Sequence, residues 1–569
     1  MPAERRILSR RVVPEHSLPD ELPPLLKRLY AARGLVAAPE LSLRLANLLA
    51  PDALLGVERS AQLLADAVVD QQRIVIVGDY DCDGATGTAV AMLGLSLFGA
   101  RHVDYLVPNR FTMGYGLSPP LADAARAMGA ELLITVDNGI ASISGVARAK
   151  MLGMTVIVTD HHLAGDLLPA ADAIVDPNQP GCGFAHKSLA GVGVMFYVLS
   201  RLRAELRRRG HFGTAEPPTL GALLDLVAIG TVADVARLDY NNRILVAEGV
   251  RRIRAGRARP GVAALLKVAA REPAQITAID LGFVLGPRIN AAGRMDDIRV
   301  GIECLLAPTL EAALPLAQAL DSINRSRRAR QTEMTDEASA QLADGDPRIG
   351  LCMFDDRWHE GVVGLVASRI KERRHRPAIA FARAQEAGLL KGSARSIEGL
   401  NVRDALAAID ARHPGLIERF GGHAMAAGLS LREAQFPAFA QAFDEQCRGL
   451  LSEAQLQRRI ETDGELEPAE FAVATAQLLE TAGPWGQGFP EPCFDQAFEV
   501  LESRCVGGEG QHVKYRLRLP GVGVLNAIHF GGAEARVERG ALHAAFSLGI
   551  NRWQGQESLD LRIEYLEPA

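Results

Sequence analysis

A repeated pattern constrains the fold of this chain: a short apolar segment, an acidic motif and then a helical stretch. Strands that alternate with helices predict an α/β fold with a parallel sheet. The carboxyl ends of the strands line the binding crevice in such a sheet. Between about residues 40 and 245, the apolar segments lie at residues 73–77, 132–136, 155–158 and 173–175, and the intervening helical stretches include residues 85–98 and 145–152.

The first three apolar segments each end in an acidic motif: Asp-Tyr-Asp-Cys-Asp at residues 79–83, Asp-Asn-Gly at 137–139 and Asp-His-His at 160–162. A buried strand rarely ends in a carboxylate, because burying a charge without a partner is costly. Three such motifs at one crevice therefore indicate a functional site. So many carboxylates repel one another unless cations neutralise them, and carboxylates with imidazoles suit Mn²⁺ or Mg²⁺.

The spacing of Asp79, Asp81, Asp83 and Gly84 also resembles a calcium-binding EF-hand loop. That loop needs a bidentate Glu at its twelfth position and a helix before it. Here the twelfth position is Val90, and a predicted strand precedes the motif. This excludes calcium and leaves a solvated acidic turn as the alternative to a metal site; the neighbouring acidic motifs disfavour that turn.

Asp225 and Asp234 lie in and at the end of a largely apolar helical run that begins at Leu223. Either carboxylate could be a further metal ligand. Asp225 could instead cap or brace the helix, and the residues alone leave both interpretations open.

The net charge of −6 argues mildly against nucleic acid as a partner, because phosphate neutralisation drives that binding. The distribution of charge matters more than the sum. The basic clusters are either ordinary solvated helix faces or parts of a basic groove. They lie at residues 201–209, 251–259, 325–330 and 369–376.

The seven cysteines are scattered and form no Cys-x-x-Cys pair, which excludes a disulfide framework and a zinc cluster. Residues 1–22 are charged and lack the apolar core of a signal peptide. The longest apolar stretch, residues 89–100, is shorter than the roughly 20 residues that a membrane span needs. These features predict a cytoplasmic protein without a membrane partner.

The chain is long enough for several domains. Residues 311–345 predict a long polar connecting helix, and the tail alternates apolar and polar residues between glycine-rich turns, as a small β-barrel or sandwich does. The predicted division is an N-terminal segment (1–45), a parallel-sheet catalytic domain (46–310), the connecting helix (311–345), a second α/β domain (346–455) and a β domain (456–569).

Taken together, four motifs resemble the DHH phosphoesterase superfamily: the motifs at residues 79–84, 136–139 and 160–162, and Gly-Thr-Val-Ala-Asp at 230–234. Gly421, Gly422 and His423 resemble the signature of the accompanying DHHA1 domain. With the β-rich tail, three further motifs are similar to those of bacterial superfamily members that degrade single-stranded DNA from 5′ to 3′. These are Trp-His-Glu-Gly-Val-Val-Gly (358–364), Gly-Ser-Ala-Arg-Ser (392–396) and Pro-Arg-Ile-Asn-Ala-Ala-Gly-Arg (287–294).

The resemblance covers residues 40–569 and implies a two-metal site. Asp137 would bridge two Mn²⁺ or Mg²⁺ ions, with Asp81 mainly on one of them and Asp79 in support. The other ion would take Asp83, His161 and Asp234, which favours Asp234 over Asp225. His162 would lie near the scissile phosphate. The implied catalytic residues are Asp79, Asp137, His162 and Arg110, and the implied substrate-binding residues are Arg110, Tyr115, Arg288, Asn290, Arg294, Ser393, Arg395, Gly421, Gly422 and His423.

The resemblance also implies an OB-like barrel that binds single strands through a basic groove and stacking aromatic side chains. The stacking candidates are Tyr515, Phe530 and Trp553. A single-strand-binding protein and a helicase are the implied protein partners, DNA repair and recombination the implied setting, and a monomer the default state. Met113 and Phe489 depart from the family pattern, at positions where an acidic residue and Asn are expected.

Two other functions fit parts of the sequence. A DHH enzyme for small substrates, such as a pyrophosphatase, a nanoRNase or a cyclic-dinucleotide phosphodiesterase, would share the acidic motifs but typically lacks the β-rich tail. A catalytically inactive DNA-binding relative would share the fold, and the presence of every expected ligand position argues against it.

Overall fold

The computed structural model describes residues 6–108, 116–343, 345–508 and 510–569, apart from the side chain of Trp553. Along these residues the strands are β1 (Ile7–Arg10), β2 (Ile74–Val77), β3 (Val103–Leu106), β4 (Leu132–Val136), β5 (Thr155–Thr159), β6 (Ala173–Val175), β7 (Leu351–Phe354), β8 (Ala378–Arg383), β9 (Leu389–Arg395), β10 (Arg419–Gly422), β11 (Ala426–Arg432), β12 (Arg459–Thr462), β13 (Phe494–Val506), β14 (His512–Leu519), β15 (Gly523–His529), β16 (Gly540–Trp553) and β17 (Gln556–Pro568). The α-helices are α1 (Pro24–Ala31), α2 (Val57–Val69), α3 (Cys82–Leu97), α4 (Pro119–Ala127), α5 (Ile143–Met151), α6 (Gly191–Arg208), α7 (Leu224–Ala233), α8 (Tyr240–Arg254), α9 (Pro260–Val268), α10 (Ala278–Asp280), α11 (Gly286–Met295), α12 (Arg299–Leu306), α13 (Leu310–Ala340), α14 (Val363–Arg374), α15 (Val402–Arg412), α16 (Phe436–Leu450) and α17 (Val473–Ala482).

The chain forms two compact units. Unit 1 comprises the chain up to Arg10 together with Arg325–Thr462 and Gly531–Val537. Unit 2 comprises Arg11–Asn324, Asp463–Phe530 and Glu538–Ala569. Among the described residues, no helix is both long and apolar enough to span a membrane.

Unit 2 contains a five-stranded sheet in the order β3-β2-β4-β5-β6, and every pairing in it is parallel. Strands β2 and β4 are apolar or β-branched throughout and fully buried, as expected for strands covered on both faces. Helix α3 follows β2 and packs against helices α6 and α7. The predicted α/β fold with a parallel sheet is therefore confirmed.

The tail of the chain forms a closed barrel in unit 2, in the order β13-β14-β15-β17-β16. Side chains along β14 alternate between the barrel interior and its surface, which confirms the predicted barrel and excludes the sandwich. Tyr515 lies on the inner face and is only 2% exposed, so it belongs to the core and cannot stack on a base. Phe530 is 61% exposed.

The N-terminal residues contain more structure than their sequence predicts. Helix α1 lies against the segment that precedes the barrel, where the Arg33 guanidinium is 2.9 Å from the Asp463 carboxylate. Phe489 stacks on Trp485 with ring centroids 5.2 Å apart, and the Arg243 guanidinium lies 4.5 Å from the Phe489 centroid. Phe489, which stands where the family pattern has Asn, thus completes a cluster of aromatic rings and an Arg side chain.

Unit 1 is built on a second sheet, in the order β10-β11-β9-β8-β7, with helices α14, α15 and α16. Only β7 and β8 pair in parallel within it. The short strands β1 and β12 form a separate parallel pair, from Ile7 opposite Arg459 to Arg10 opposite Thr462. Helix α13 lies within the predicted connecting segment except for its first residue.

Candidate metal centre

The acidic residues after β2 are held at the start of helix α3. Asp81 is its N-cap, and its Oδ1 accepts a hydrogen bond from the Gly84 N–H at 3.0 Å. Gly84 is required here, because a Cβ on it would lie 2.6 Å from the main-chain oxygen of Asp79. This tight turn places Asp79, Asp81 and Asp83 around the carboxyl end of the strand.

Asp83 is fully buried and is held by the N-terminus of helix α6. Its two carboxylate oxygens accept hydrogen bonds from the main-chain N–H groups of Gly191 at 2.6 Å and Val192 at 3.0 Å. Main-chain N–H groups at a helix N-terminus favour a negative charge. Two helices thus orient this carboxylate.

Asp137 and His161 meet at the ends of β4 and β5. The His161 Nε2 lies 3.0 Å from the Asp137 Oδ1 and 3.9 Å from the Asp83 Oδ2. The His161 Nδ1 lies 3.9 Å from the Asp234 Oδ2, so the residue that ends helix α7 joins the same cluster. Asp225, by contrast, braces the helix: its carboxylate accepts N–H groups of Leu226 and Arg259 at 3.0 and 2.7 Å.

The structure brings six predicted metal-site residues and His162 into one cluster. Their ligand atoms form three overlapping groups, and within each group every pair of atoms lies within 4.8 Å. Asp137 belongs to two groups and His161 to two, so the groups share ligands as a two-ion site requires. The groups are Asp79, Asp81 and Asp137; Asp83, His161 and Asp234; and Asp137, His161 and His162.

The electrostatics of the cluster fit a cation. Burial, followed by the charge of Asp81, raises the pKa of Asp83 to about 7. Burial and the neighbouring carboxylates raise the pKa of Asp137 and Asp234 well above the usual range. These carboxylates resist ionisation together, and a divalent cation among them would remove that cost. Oxygen ligands with imidazole nitrogen suit Mn²⁺ or Mg²⁺.

Asp160 organises the loop that carries both histidines. One of its carboxylate oxygens accepts the N–H groups of His161 and His162 at 2.8 and 3.2 Å and lies 2.7 Å from the His162 Nδ1. The other accepts the Ile140 N–H at 2.9 Å. Burial lowers the pKa of the His162 imidazole, but the hydrogen bond and charge of Asp160 outweigh it and raise that pKa to about 9.

Helix α11 carries three predicted substrate-binding residues. The Asn290 Oδ1 accepts the Cys82 N–H at 2.8 Å, which ties helix α11 to the acidic turn. Arg288 is 9% exposed, and its guanidinium lies 2.9 Å from the Asp321 carboxylate. The Arg288 Nε also donates a hydrogen bond to the Asp321 Oδ1 at 3.0 Å, so this carboxylate engages one edge of the guanidinium. Arg294 is half-buried on the same helix.

In unit 1, strand β11 brings other predicted residues together. Ser393 of β9 and Gly421 of β10 both lie opposite Gly428. The Arg395 Nη1 donates a hydrogen bond to the Ser393 Oγ at 2.9 Å. Helix α14 begins beside them, since a Cβ on Gly364 would come within 2.9 Å of both the Ser393 Oγ and the Arg395 Nη2. Gly422 and His423 follow at the exposed end of β10.

Three predicted positions lie outside the described residues: Arg110, Tyr115 and the departure at Met113. One part of the site was missed by the sequence reasoning. Strand β6 also ends in a buried acid, Asp176, and Asn178 just beyond it contacts the His161 main chain at 2.6 Å. The signal was a fourth apolar segment followed by an acid, the same pattern as in the other three.

Three family profiles and a full-length relative match this chain. The profile of the DHH family, N-terminal domain, matches residues 73–231; the DHHA1 domain matches 347–449; and the RecJ OB domain matches 462–565. The single-stranded-DNA-specific exonuclease RecJ of Dickeya dadantii is 50% identical over 575 residues, which cover 99% of each chain. The chain belongs to the RecJ family.

Solved structures of the RecJ family have the same fold. RecJ from Thermus thermophilus in complex with Mn²⁺ superposes with a TM-score of 0.81 at 30% identity and covers 99% of this chain and 80% of its own. The Mg²⁺ complex of the same protein gives a TM-score of 0.75 at 28% identity, with 99% and 79% covered. The expected fold and RecJ family membership are therefore confirmed.

Proposed function

We propose that this chain is a single-stranded-DNA-specific exonuclease that hydrolyses phosphodiester bonds from the 5′ end and releases 5′-mononucleotides. The observation that carries the proposal is the buried cluster in which Asp137 and His161 each belong to two groups of ligand atoms. A RecJ relative that is 50% identical to this chain is named a single-stranded-DNA-specific exonuclease, and Mn²⁺ and Mg²⁺ complexes of RecJ from Thermus thermophilus are known.

Two divalent cations in this cluster would supply an activated water and stabilise the charge that develops on the phosphoryl oxygens. We assign Asp81 and Asp137 to one cation, with Asp79 in support. Asp83, His161 and Asp234 would hold the other cation, together with Asp137. The two main-chain N–H groups at the start of helix α6 fix the Asp83 carboxylate, whose Oδ2 lies 3.9 Å from the His161 Nε2.

His162 is the proposed proton donor. Its raised pKa of about 9 means that the imidazole carries a second proton near neutral pH, when no cation is bound. The Asp160 carboxylate, 2.7 Å from the His162 Nδ1, fixes the orientation of the ring beside the cluster, and we assign to this ring the transfer of a proton to the leaving group. A donor of this kind suits the departing oxygen of a phosphodiester.

We assign recognition of the terminal 5′-phosphate to unit 1. Ser393, Arg395 and the start of helix α14 combine a hydroxyl, a guanidinium and a helix N-terminus, each of which favours a phosphate. The exposed main chain of Gly421 and Gly422 lies on β10, which is separated from β9 by β11, and His423 follows it. Arg110, Tyr115 and Arg294 complete the proposed substrate contacts, and Asn290 is reassigned to support the acidic turn.

We place a nucleobase of the bound strand in an apolar groove of unit 2. The groove has a volume of about 410 Å³, and its wall includes Ala233 and Val235, which flank Asp234. Phe283 lines it and is 74% exposed, and Val235 is 63% exposed. We infer that a base of the strand whose phosphate lies at the cluster reaches this wall, where an aromatic ring can stack on it.

The remaining family expectations are part of the same proposal. We propose that the enzyme acts in the cytoplasm in DNA repair and recombination, as a monomer, and that a single-strand-binding protein and a helicase present its substrate. The division of labour follows the predicted domains, with hydrolysis in residues 46–310, terminal phosphate recognition in 346–455 and strand binding in 456–569.

Digestion of end-labelled DNA tests the function. With Mn²⁺ present, we expect mononucleotides from single-stranded DNA with a 5′-phosphate, little release from blunt duplex DNA, and retention of a 3′ label on the shrinking strand until late in the reaction. Release from the 3′ end would contradict the polarity. Faster turnover of pyrophosphate or of very short RNA would instead identify a small-substrate enzyme.

The Asp137→Asn variant tests the metal site. Asn tolerates the left-handed backbone that residue 137 adopts (φ 63°), so the fold should persist. Replacement of a residue that only supports a metal ligand typically lowers activity by roughly 10- to 100-fold. The loss of the shared ligand itself should lower kcat by more than that. Binding of Mn²⁺ by the wild-type chain without cleavage of any strand would revive the inactive DNA-binding alternative.

A further inference from the structure

The loop that carries His161 has no regular secondary structure between β5 and β6. Leu163 and Leu167, which follow the histidines, are 66% and 70% exposed. Loops with few buried contacts open most readily. The position of the His161 ring therefore depends on the hydrogen bonds that hold the main chain at the start of this loop.

The main chain of His161 is held on both sides. Its N–H donates to the Asp160 Oδ1 at 2.8 Å, and its carbonyl oxygen accepts a hydrogen bond from the Asn178 Nδ2 at 2.6 Å. Asp160 is the acid of the sequence motif itself. Asn178 comes from a different segment, the turn after strand β6.

That turn is itself built to present Asn178. Asp176 is fully buried, and its Oδ1 accepts the Asn178 N–H at 2.6 Å. The Asn178 Nδ2 also donates to the Lys187 carbonyl at 3.2 Å, while the Lys187 Nζ donates to the Pro177 carbonyl at 2.6 Å. The carboxamide is thus fixed by its own turn and by residue 187, and the His161 carbonyl is one of its two acceptors.

We propose that Asn178 is a positioning residue that sets the place of the metal ligand His161 through the main-chain carbonyl of that histidine. The inference rests on the proposed function, because it takes His161 to bind a cation. Residues that hold a metal ligand typically change metal affinity or activity by 10- to 100-fold when they are replaced. Asn178 acts on the main chain of the ligand, whereas such residues most often act on its ring.

Gln179 supplies a matched control in the same turn. Its Nε2 also donates to two main-chain carbonyls, those of Leu55 at 3.1 Å and Ile174 at 2.9 Å, neither of which belongs to the histidine loop. Asn178→Ala and Gln179→Ala therefore each remove a carboxamide with two hydrogen bonds to the main chain. They differ in whether the His161 loop is one of the acceptors.

The experiment is an electron paramagnetic resonance titration of Mn²⁺ into the metal-free full chain without DNA, together with thermal unfolding in EDTA. We expect both variants to lower Tm, and Asn178→Ala alone to weaken Mn²⁺ binding, by about 10-fold or more. At saturating Mn²⁺ the KM for single-stranded DNA should stay at the wild-type value. Wild-type Mn²⁺ affinity in Asn178→Ala, or equal weakening in Gln179→Ala, would overturn the inference.

Asn178→Asp covers the case in which the alanine variant does not fold. It keeps the shape of the side chain but replaces the donor with a carboxylate, so it should weaken Mn²⁺ binding as well; unchanged affinity would overturn the inference. A wild-type chain that binds Mn²⁺ but cleaves no DNA would overturn the proposed exonuclease function and leave the role of Asn178 standing. A wild-type chain that binds no Mn²⁺ overturns both.

Discussion

At the end of strand β4, Asp137 adopts a left-handed main-chain conformation (φ 63°) and is 2% exposed. This conformation is strained for a non-glycine residue, and such strain concentrates at functional sites. Helix α6 begins against this residue, because the Gly191 position leaves room for only a hydrogen: a Cβ there would lie 2.5 Å from the Asp137 Cβ. The position of Asp137 thus depends on the absence of a side chain at residue 191.

Gly191→Ala should therefore displace Asp137 although it adds only one methyl group. We expect Mn²⁺ affinity to fall by about 10-fold or more, as when a residue that holds a ligand is replaced. Gly193→Ala is the control on the same helix, since a Cβ there meets the Leu189 side chain at 3.3 Å, and it should change affinity by less than twofold. Isothermal titration with Mn²⁺ measures both, and equal affinities would contradict the assigned position of Asp137.

The sequence identified members of the acidic cluster where they end a strand. Asp79, Asp137 and His161 follow apolar segments, and parallel strands bring their ends to one edge. It did not identify Asn178, because a hydrogen bond across 17 residues to a main-chain carbonyl leaves no spacing pattern. Phosphate binding by Arg288 stays a prediction, because a motif shows only the residue type, whereas the ion pair of Arg288 with Asp321 depends on how helices α11 and α13 pack.

At the scale of elements, the segment before helix α11 departs from regular α-helical geometry. Residues Leu281–Leu285 form a π-helical turn, a geometry frequent at functional sites, between helices α10 and α11. Gly282 and Gly286 face helix α7, where a Cβ on either would meet Val232 at 3.0 Å or Ala233 at 2.9 Å. This packing aligns the exposed Phe283 with the groove beside Asp234.

Phe283→Ala should raise the KM for single-stranded DNA by about 10-fold, since stacking on one base contributes roughly 1–3 kcal/mol. Met151→Ala is the control, because Met151 is also apolar and 72% exposed. The effect of Phe283→Ala should shrink on a strand with abasic sites near its 5′ end, and an undiminished effect there would rule out stacking on a base.

Elements were predictable where their patterns are strong. Strands β4 and β6 occupy the predicted residues. Strands β2 and β5 each differ from their predicted ranges by one residue at one end. Helix α1 was missed because its stability comes from distant contacts, such as the Tyr30 hydroxyl hydrogen bond to the Ala482 carbonyl at 2.8 Å. A short helix has little local signal when tertiary packing stabilises it.

For the whole molecule, the buried acids set a pH dependence of stability in the absence of metal. Burial, foremost, raises the pKa of Asp83 and of Asp176 to about 7, whereas an unfolded Asp has a pKa of about 3.9. Between those values the folded protein keeps protons that the unfolded chain loses. Stability is therefore highest below about pH 4 for these groups and falls as pH rises toward 7.

In EDTA, we expect these two acids to lower the free energy of unfolding between about pH 5 and 7, by at most about 1.4 kcal/mol per pH unit for each. Urea unfolding at several pH values measures the slope. Asp83→Asn should make it shallower, because the amide does not titrate, and saturating Mn²⁺ should do the same by keeping Asp83 ionised. A slope that is identical in Asp83→Asn would contradict the raised pKa of this residue.

The pairing of β1 with β12 has a consequence for how the chain is made. A ribosome that adds about 5–20 residues per second needs roughly 20–90 s to travel from the first strand to its partner. During that time residues 7–10 lack their partner strand, and an unpaired strand edge can pair with other chains. Residues 7–10 thus reach their native place only after residues 459–462 have been made, and a nascent chain that stalls before residue 459 leaves β1 without the strand it pairs with.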